Sequence, residues 1–430
     1  MHSILAALQS LSGYLSANFP SLPGTRTFEI SFPLNDAFDP LAWLSGQSLW
    51  PQFYWQHRSG HEEMAALGAV QTFSSLAQAN TFLTQFERED IRICGVNHFD
   101  PQQGILFLPR FEWRREGGLA TLRVNLWSDT SLQHDAQTAR EALAALSADH
   151  LSTELTLQQR DEIHHPSKVE WCQLITQATQ AIRDGAFTKV VLARATDLVF
   201  SQAPLAGALM AASRRVNLSC YHFFMAFDPH QTFLGSTPEC LWQRRGRQLR
   251  TEALAGTVAN HANEAQADRL ASWLMHDGKN QRENGVVVED ICQRLHGITH
   301  TLDVLPAEIV RLRKVQHLRR RIQAELIKPD DTCCLLQLQP TAAVAGLPRP
   351  EALKFIETYE PFAREWYAGS AGYLSRQQSE FCVTLRSAKV AGNTVRLYAG
   401  AGIVEGSDPE QEWQEIENKA AGLRSLLFPE

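Results

Sequence analysis

The chain reads as an α+β protein in which antiparallel strands carry the core and amphipathic helices flank them. Three observations lead there. Residues 27–150 hold short apolar runs, FEISFPL, FYWQHR, AALGAV, IRICGVNHF, ILFLPRFEWRR and TLRVNLWS, with the composition and spacing of strands separated by short helices. Arg115-Glu116-Gly117-Gly118 lies between two of these runs and is a hairpin signal, which makes the pairing antiparallel. Other stretches change to a period near 3.6, which marks helices.

The 430 residues suffice for two or three average domains and a large core. Hydrophobic content of 44% with 20% charged residues is that of a globular protein. A net charge of -7 and a pI of about 6.1 argue against nucleic acid or an acidic membrane as the main partner. The basic cluster Arg311, Arg313, Lys314, Arg319, Arg320 and Arg321 is interleaved with Leu312, Val315, Leu318 and Ile322, so it reads as the solvated face of an amphipathic element. Eight cysteines show no CxxC pair and no zinc spacing; they read as small buried hydrophobes in a reducing cytoplasm. The first 20 residues lack the basic start of a signal peptide, and Ile4, Leu5, Leu8, Leu11 and Leu15 predict an amphipathic helix there. No apolar run approaches a membrane span of about 18–20 residues.

In chain order, Trp55, Phe107 and Trp113 are expected in the core or between strands. Residues 135–165 read as polar and helical, and His164-His165-Pro166-Ser167 as a connection. The connection separates an N-terminal segment, 1–160, contributing strands and helices to the same fold, from a catalytic region, 165–430. A helix is predicted from Lys168 to Arg183, with Trp171, Leu174, Ile175, Ala178 and Ile182 on one face and Gly185 at its end. The following strand has two mostly apolar faces, one of them carrying Lys189, and is therefore predicted to be buried. Burial favours the neutral amine, a usable general base, while a snorkelling lysine at a strand end is the alternative.

Glu239 follows Pro238 in a constrained turn where its side chain can be aimed, although a lone glutamate is weak evidence. Leu254-Ala-Gly-Thr-Val combines small residues with Thr257 and suits close approach of a substrate. The helix from Asp277 to Leu295 places Glu283 beside its apolar stripe. Later strands bring Arg386 to one defined face, where it is a surface pair or a carboxylate clamp.

Around residues 396–420 a strand, a Gly400-Ala401-Gly402 step and a turn at Gly406 lead into a helix capped by Ser407 or Asp408. On that helix Trp413, Ile416, Ala420, Leu423, Leu426 and Leu427 form an apolar stripe. Glu412 and Lys419 fall inside the stripe and Glu415 on its edge, whereas Glu410 and Glu417 project away. Charges turned toward a core need a partner or a metal. A Glu415–Lys419 pair would leave Glu412 alone, so Glu412, Glu415 and Glu283 are candidate ligands of a hard cation such as magnesium.

Taken together, KVVLAR (189–194), GSTPE (235–239), ALAGT (253–257), KNQREN (279–284), VQHL (315–318), PTAAVAG (340–346), YAGSAGY (367–373), LRSAKV (385–390) and GAGIVEGSDPEQEWQEIENKA (400–420) resemble the chorismate-utilising enzyme family. The N-terminal FPLNDAFDPLAWL and PQFYWQHR further resemble its isochorismate-forming branch of menaquinone synthesis. The resemblance implies antiparallel sheets stacked face to face, flanked by helices, with the site in a cleft between them, as in anthranilate synthase component I. It implies Lys189 as the base that activates water for attack at C2 of chorismate, and Glu239 as the acid that protonates the departing C4 hydroxyl. It further implies Glu283, Glu412 and Glu415 as magnesium carboxylates. Thr257, His317, Tyr367, Arg386, Gly400, Ala401, Gly402 and Lys419 would contact substrate. Lys189 and Ala255 stand where ammonia-using relatives carry glutamine and a nucleophilic lysine, so no glutamine amidotransferase subunit is implied, and the chain would act as a monomer or homodimer. Asn280 replaces a glutamate common in relatives. Salicylate synthase, which goes on to eliminate pyruvate, is the nearest alternative, and an isochorismate synthase of siderophore synthesis is another.

Overall fold

The computed structural model describes residues 2–33, 38–147 and 157–428. Positions 34–37 of the FPLNDAFDPLAWL stretch lie outside the described residues. All strand pairings are antiparallel, as the hairpin signal implied, with Gly104–Glu116 and Leu119–Ser128 joined across Gly117-Gly118. One run of neighbours leads from Lys189–Phe200 through Thr394–Ile403, Ser387–Ala391, Gln231–Thr237, Tyr221–Asp228 and Gln52–Gln56 to Glu62–Phe73 and Gly104–Glu116. From Gly104–Glu116 a second run returns through Ile93–Asn97, Ser370–Leu374, Gln378–Val383, Cys240–Arg245 and Gln248–Ala259 to Val315–Leu326.

Between the two runs lies the largest core, in which Phe53, Phe223, Phe233 and Ala193 meet Trp242, Leu249, Ala371 and Phe381. Strand alternation decides membership. Phe223 and Met225 face this core, while Phe224 and Ala226 face a second one covered by the helices His2–Leu15, Pro40–Ser45, Leu132–Ala144 and Ala206–Val216. A third core packs Lys168–Arg183, Arg349–Tyr359 and Pro409–Arg424 against Val190, Leu192, Ala401 and Ile403. Trp55, Phe107 and Trp113 are buried, as expected.

Local chemistry sets the helix starts. Ser167 and Glu170 form a capping box, and Asp277 caps Gly278–Leu295. At the C-terminal helix Asp408 is the cap, while Ser407 Oγ accepts from the Val404 N–H instead.

Two expectations are corrected. Residues 135–165 are not one helical stretch: the helix ends at Ala144, and Gln159–His165 is a strand on the edge of Lys189–Phe200. His164 and His165 therefore sit in a strand and not in a connection. Its outer side meets water, so its polar sequence hid it. Half of the basic cluster, Arg319 to Arg321, lies on the strand Val315–Leu326; Arg319 and Arg321 are answered by Glu308, Arg320 by the amide oxygens of Asn284 and Gln281, and Arg311, on the neighbouring strand, by Asp268. The eight cysteines are unpaired. Among the described residues no helix is long and apolar enough to cross a membrane.

Candidate active site

Two neighbouring segments cross from one strand run to the other. Gln231–Thr237 belongs to the first and Cys240–Arg245 to the second, with Pro238-Glu239 at the crossing. Gln378–Val383 and Ser387–Ala391 are divided the same way, with Thr384 to Arg386 at the crossing. A cavity of about 800 Å³ opens there, and Lys189, Glu239, Thr257, Glu283, His317, Tyr367, Arg386, Gly400, Gly402, Glu412, Glu415 and Lys419 all line it. Ala401 does not. Its side chain is fully buried in the third core, because period-two alternation turns it away from the face that Gly400 and Gly402 share.

The same alternation aims Lys189. Val190 and Leu192 go to the third core, while Lys189 and Val191 line the cavity. The lysine is buried but has company, since Nζ is 3.3 Å from Glu283 Oε1.

Glu239 is 4% exposed, and its carboxyl has no hydrogen-bond partner among the described residues. Burial, and then the nearby Glu252 carboxylate, push it up to about 8, with Lys189 opposing. It is therefore a protonated acid at neutral pH. Its backbone, by contrast, is fully engaged. The Glu239 N–H donates to Thr237 Oγ1 at 3.3 Å, and its carbonyl accepts from the Val383 N–H at 3.0 Å.

Arg386 adopts φ +49°, a left-handed conformation unusual for arginine. It is partly buried and forms no ion pair with any described carboxylate, and burial disfavours its charged form. An anion entering the cavity would complete it. Burial, with Arg386 and Lys419 adding to it, pushes His317 down to about 3, so the ring is neutral; its Nδ1 lies 3.0 Å from Thr257 Oγ1. Tyr367, raised to about 12 chiefly by burial, keeps its hydroxyl proton and stacks on Tyr398 with centroids 5.0 Å apart. Lys419 Nζ donates to the Gly400 carbonyl at 2.9 Å and pairs with Glu415 at 2.6 Å. Glycine is required at position 400, because an added Cβ would lie 2.7 Å from Tyr367 Oη.

The three carboxylates expected around a cation line the cavity without converging. Among the described residues no three His, Cys, Asp or Glu side chains form a group that could hold a metal ion. The chemistry of the donors nevertheless fits magnesium. Glu412 forms no ion pair among the described residues, and its carboxyl is raised by burial and then by the charge of Glu415. Glu415 and Glu283, although paired with Lys419 and Lys189, add carboxylate oxygens to the same cavity, and one or two carboxylates with substrate and water in the remaining positions are what this ion commonly accepts. Asn280 also lines the cavity but is engaged with the backbone, its Oδ1 accepting from the Thr257 N–H at 3.2 Å.

Sequence reasoning missed the ion pair behind the acid turn. Arg58 Nη1 and Nη2 meet Glu252 Oε1 and Oε2 at 2.6 and 2.8 Å. Arg58 lies in a quoted motif, but 194 positions separate it from Glu252 and nothing local ties the two.

Residues 84–428 match the family described as chorismate binding enzyme. The chain is 62% identical to isochorismate synthase MenF of Escherichia coli over 428 residues, covering 99% of both chains. It is 41% identical to isochorismate synthase MenF of Haemophilus influenzae over 401 residues, covering 92% of this chain and 90% of that one. The solved structure of the Escherichia coli menaquinone-specific isochorismate synthase superposes with a TM-score of 0.98 over 99% of this chain and all of that one. Anthranilate synthase component I from Streptococcus pneumoniae shares the fold, at a TM-score of 0.63 and 18% identity over 95% of this chain and 93% of that one. This chain belongs to the chorismate-binding enzyme family.

Proposed function

We propose that the protein is an isochorismate synthase, a hydroxymutase that converts chorismate to isochorismate on the way to menaquinone. The observation that carries this reading is a neutral, buried acid, Glu239, lining one cavity with Lys189, in a chain 62% identical throughout to an isochorismate synthase. Lys189, in its amine form, takes a proton from the water that attacks C2. Glu239 gives its proton to the C4 hydroxyl, which leaves as water while the ring double bonds shift. One water enters and one leaves, so the product is an isomer. The substrate carries two carboxylates; Arg386 and Lys419 offer cations to them, and Thr257, His317 and Tyr367 offer polar contacts.

Glu412, Glu415 and Glu283 would hold magnesium, which would supply positive charge for the ring carboxylate. No amidotransferase subunit is needed, because the nucleophile is water. Eight unpaired cysteines suit a cytoplasmic enzyme. Incubation of the purified protein with chorismate and magnesium, followed by separation of products, tests the reading. Isochorismate without pyruvate is expected; salicylate with pyruvate, in the absence of any added lyase, would sink it.

A further inference from the structure

We infer that Arg58 and Glu252 are positioning residues for Glu239, clamping the peptide groups on either side of it and placing a fixed charge behind it. This deepens the reading above and rests on Glu239 being the acid. Arg58 Nη1 donates to the Pro238 carbonyl at 2.9 Å, one residue before Glu239. Glu252 Oε1 accepts from the Cys240 N–H at 2.9 Å, one residue after it. The bidentate contact between Arg58 and Glu252 joins these two anchors into one unit. Together with the bonds to Thr237 and Val383, it fixes the backbone at four points while the carboxyl stays unbonded in the cavity.

The side chains of the pair are only 20% and 2% exposed. A buried pair of this kind stabilises a fold little better than apolar residues of the same volume. What it adds is direction and charge. Arg58 comes from the loop after Gln52–Gln56, so a residue of the N-terminal segment reaches the acid turn.

The titratable groups around Glu239 come from several elements. Glu252 faces it from Gln248–Ala259 and Lys189 from Lys189–Phe200. Behind Glu252 stand Arg58 and, at 3.6 Å, Arg319. Arg386, His317 and Glu283 line the same cavity. Of these, Glu252 is the one whose charge favours a retained proton on Glu239.

The test measures kcat and KM for chorismate across pH in Glu252→Gln and Arg58→Lys, with folding checked by circular dichroism and Tm. Glu252→Gln keeps an acceptor for the Cys240 N–H but loses the charge, so the alkaline limb of kcat/KM is expected to move down by about one pH unit. Arg58→Lys keeps the charge but loses the fork, so kcat is expected to fall about tenfold or more, with KM nearly constant and the limb in place. A folded, active Glu252→Gln whose limb does not move would overturn the inference. Should Glu252→Gln not fold, Arg58→Lys decides alone, and wild-type kcat there overturns the clamp. Glu239→Gln run alongside separates the two readings. Full turnover in that variant removes the acid assignment itself, whereas an inactive Glu239→Gln beside an unmoved Glu252→Gln limb removes only the clamp.

Discussion

Lys189 Nζ and Glu283 Oε1 stand 3.3 Å apart, which ties a candidate metal ligand to the candidate base. Glu283 thus has two possible duties, and magnesium dependence distinguishes them. With Glu283→Gln, the magnesium concentration giving half-maximal activity is expected to rise about tenfold or more if the carboxylate reaches the ion. A loss of kcat with unchanged magnesium dependence would assign Glu283 to Lys189 alone.

Replacing Glu239 removes a proton donor and little else, because its carboxyl holds no other group among the described residues. Glu239→Gln is expected to lower kcat/KM by about 100-fold or more, a common contribution of general acid catalysis. Chorismate affinity measured by calorimetry should stay close to wild type. A large loss of affinity would make Glu239 a binding residue instead.

The proton on Glu239 also sets a pH window. Its carboxyl rises from an ordinary 4.5 to about 8 in the folded protein, so across that interval the folded state binds more protons than the unfolded one. Stability from this group is fully present below the unfolded value and is lost as pH rises through about 8. Activity falls through the same point, since an ionised acid cannot donate. The pH profile of kcat/KM should show this alkaline limb, and Tm should fall less steeply between pH 6 and 9 in Glu239→Gln than in wild type. Equal slopes would contradict the raised acid.

Periodicity revealed part of this site and distance concealed the rest. Strand alternation singled out Lys189, and helical spacing exposed Glu412 and Lys419 as charges on an apolar stripe; all three line the cavity. The same spacing set Glu417 aside as ordinary solvated charge. The structure pairs it with the buried Arg194, whose guanidinium lies 4.4 Å from the centre of the Trp413 ring. That partner is 223 residues away, and Glu252 is as remote from Arg58 in kind. Glu239 looked weak in the sequence because its strength comes from burial at a crossing of two strand runs. The strand Gln159–His165 was missed because an edge strand with a wet side need not be apolar.

Arg386 is held in the left-handed region without a carboxylate partner among the described residues, an arrangement suited to an incoming anion. Arg386→Ala is expected to raise KM for chorismate about 10- to 100-fold, matching about 1.5–3 kcal/mol for a charge-assisted hydrogen bond. Arg386→Lys should recover only part of this, because a single ammonium cannot reproduce the fork. Tm should not fall in either variant, since no ion pair is broken. A clear loss of Tm with KM unchanged would make the arginine structural.

Gly402 supplies a test of how tightly the base is held. A Cβ built there meets Lys189 Cε at 3.1 Å and Nζ at 3.6 Å, so Gly402→Ala must push the lysine by a few tenths of an ångström. The obstructed atoms belong to the far end of a flexible side chain, and the fold can absorb the change. Turnover cannot absorb it as easily, because a proton acceptor works only at hydrogen-bond reach of its water. Gly402→Ala is therefore expected to lower kcat about tenfold or more with Tm nearly unchanged. Gly422→Ala, on the C-terminal helix with nothing within 4 Å of the new methyl, is the control. It should stabilise the protein by up to about 1 kcal/mol through helix propensity and leave kcat alone. If both variants turn over like wild type, Lys189 has slack at position 402 and the base is not held by contact there.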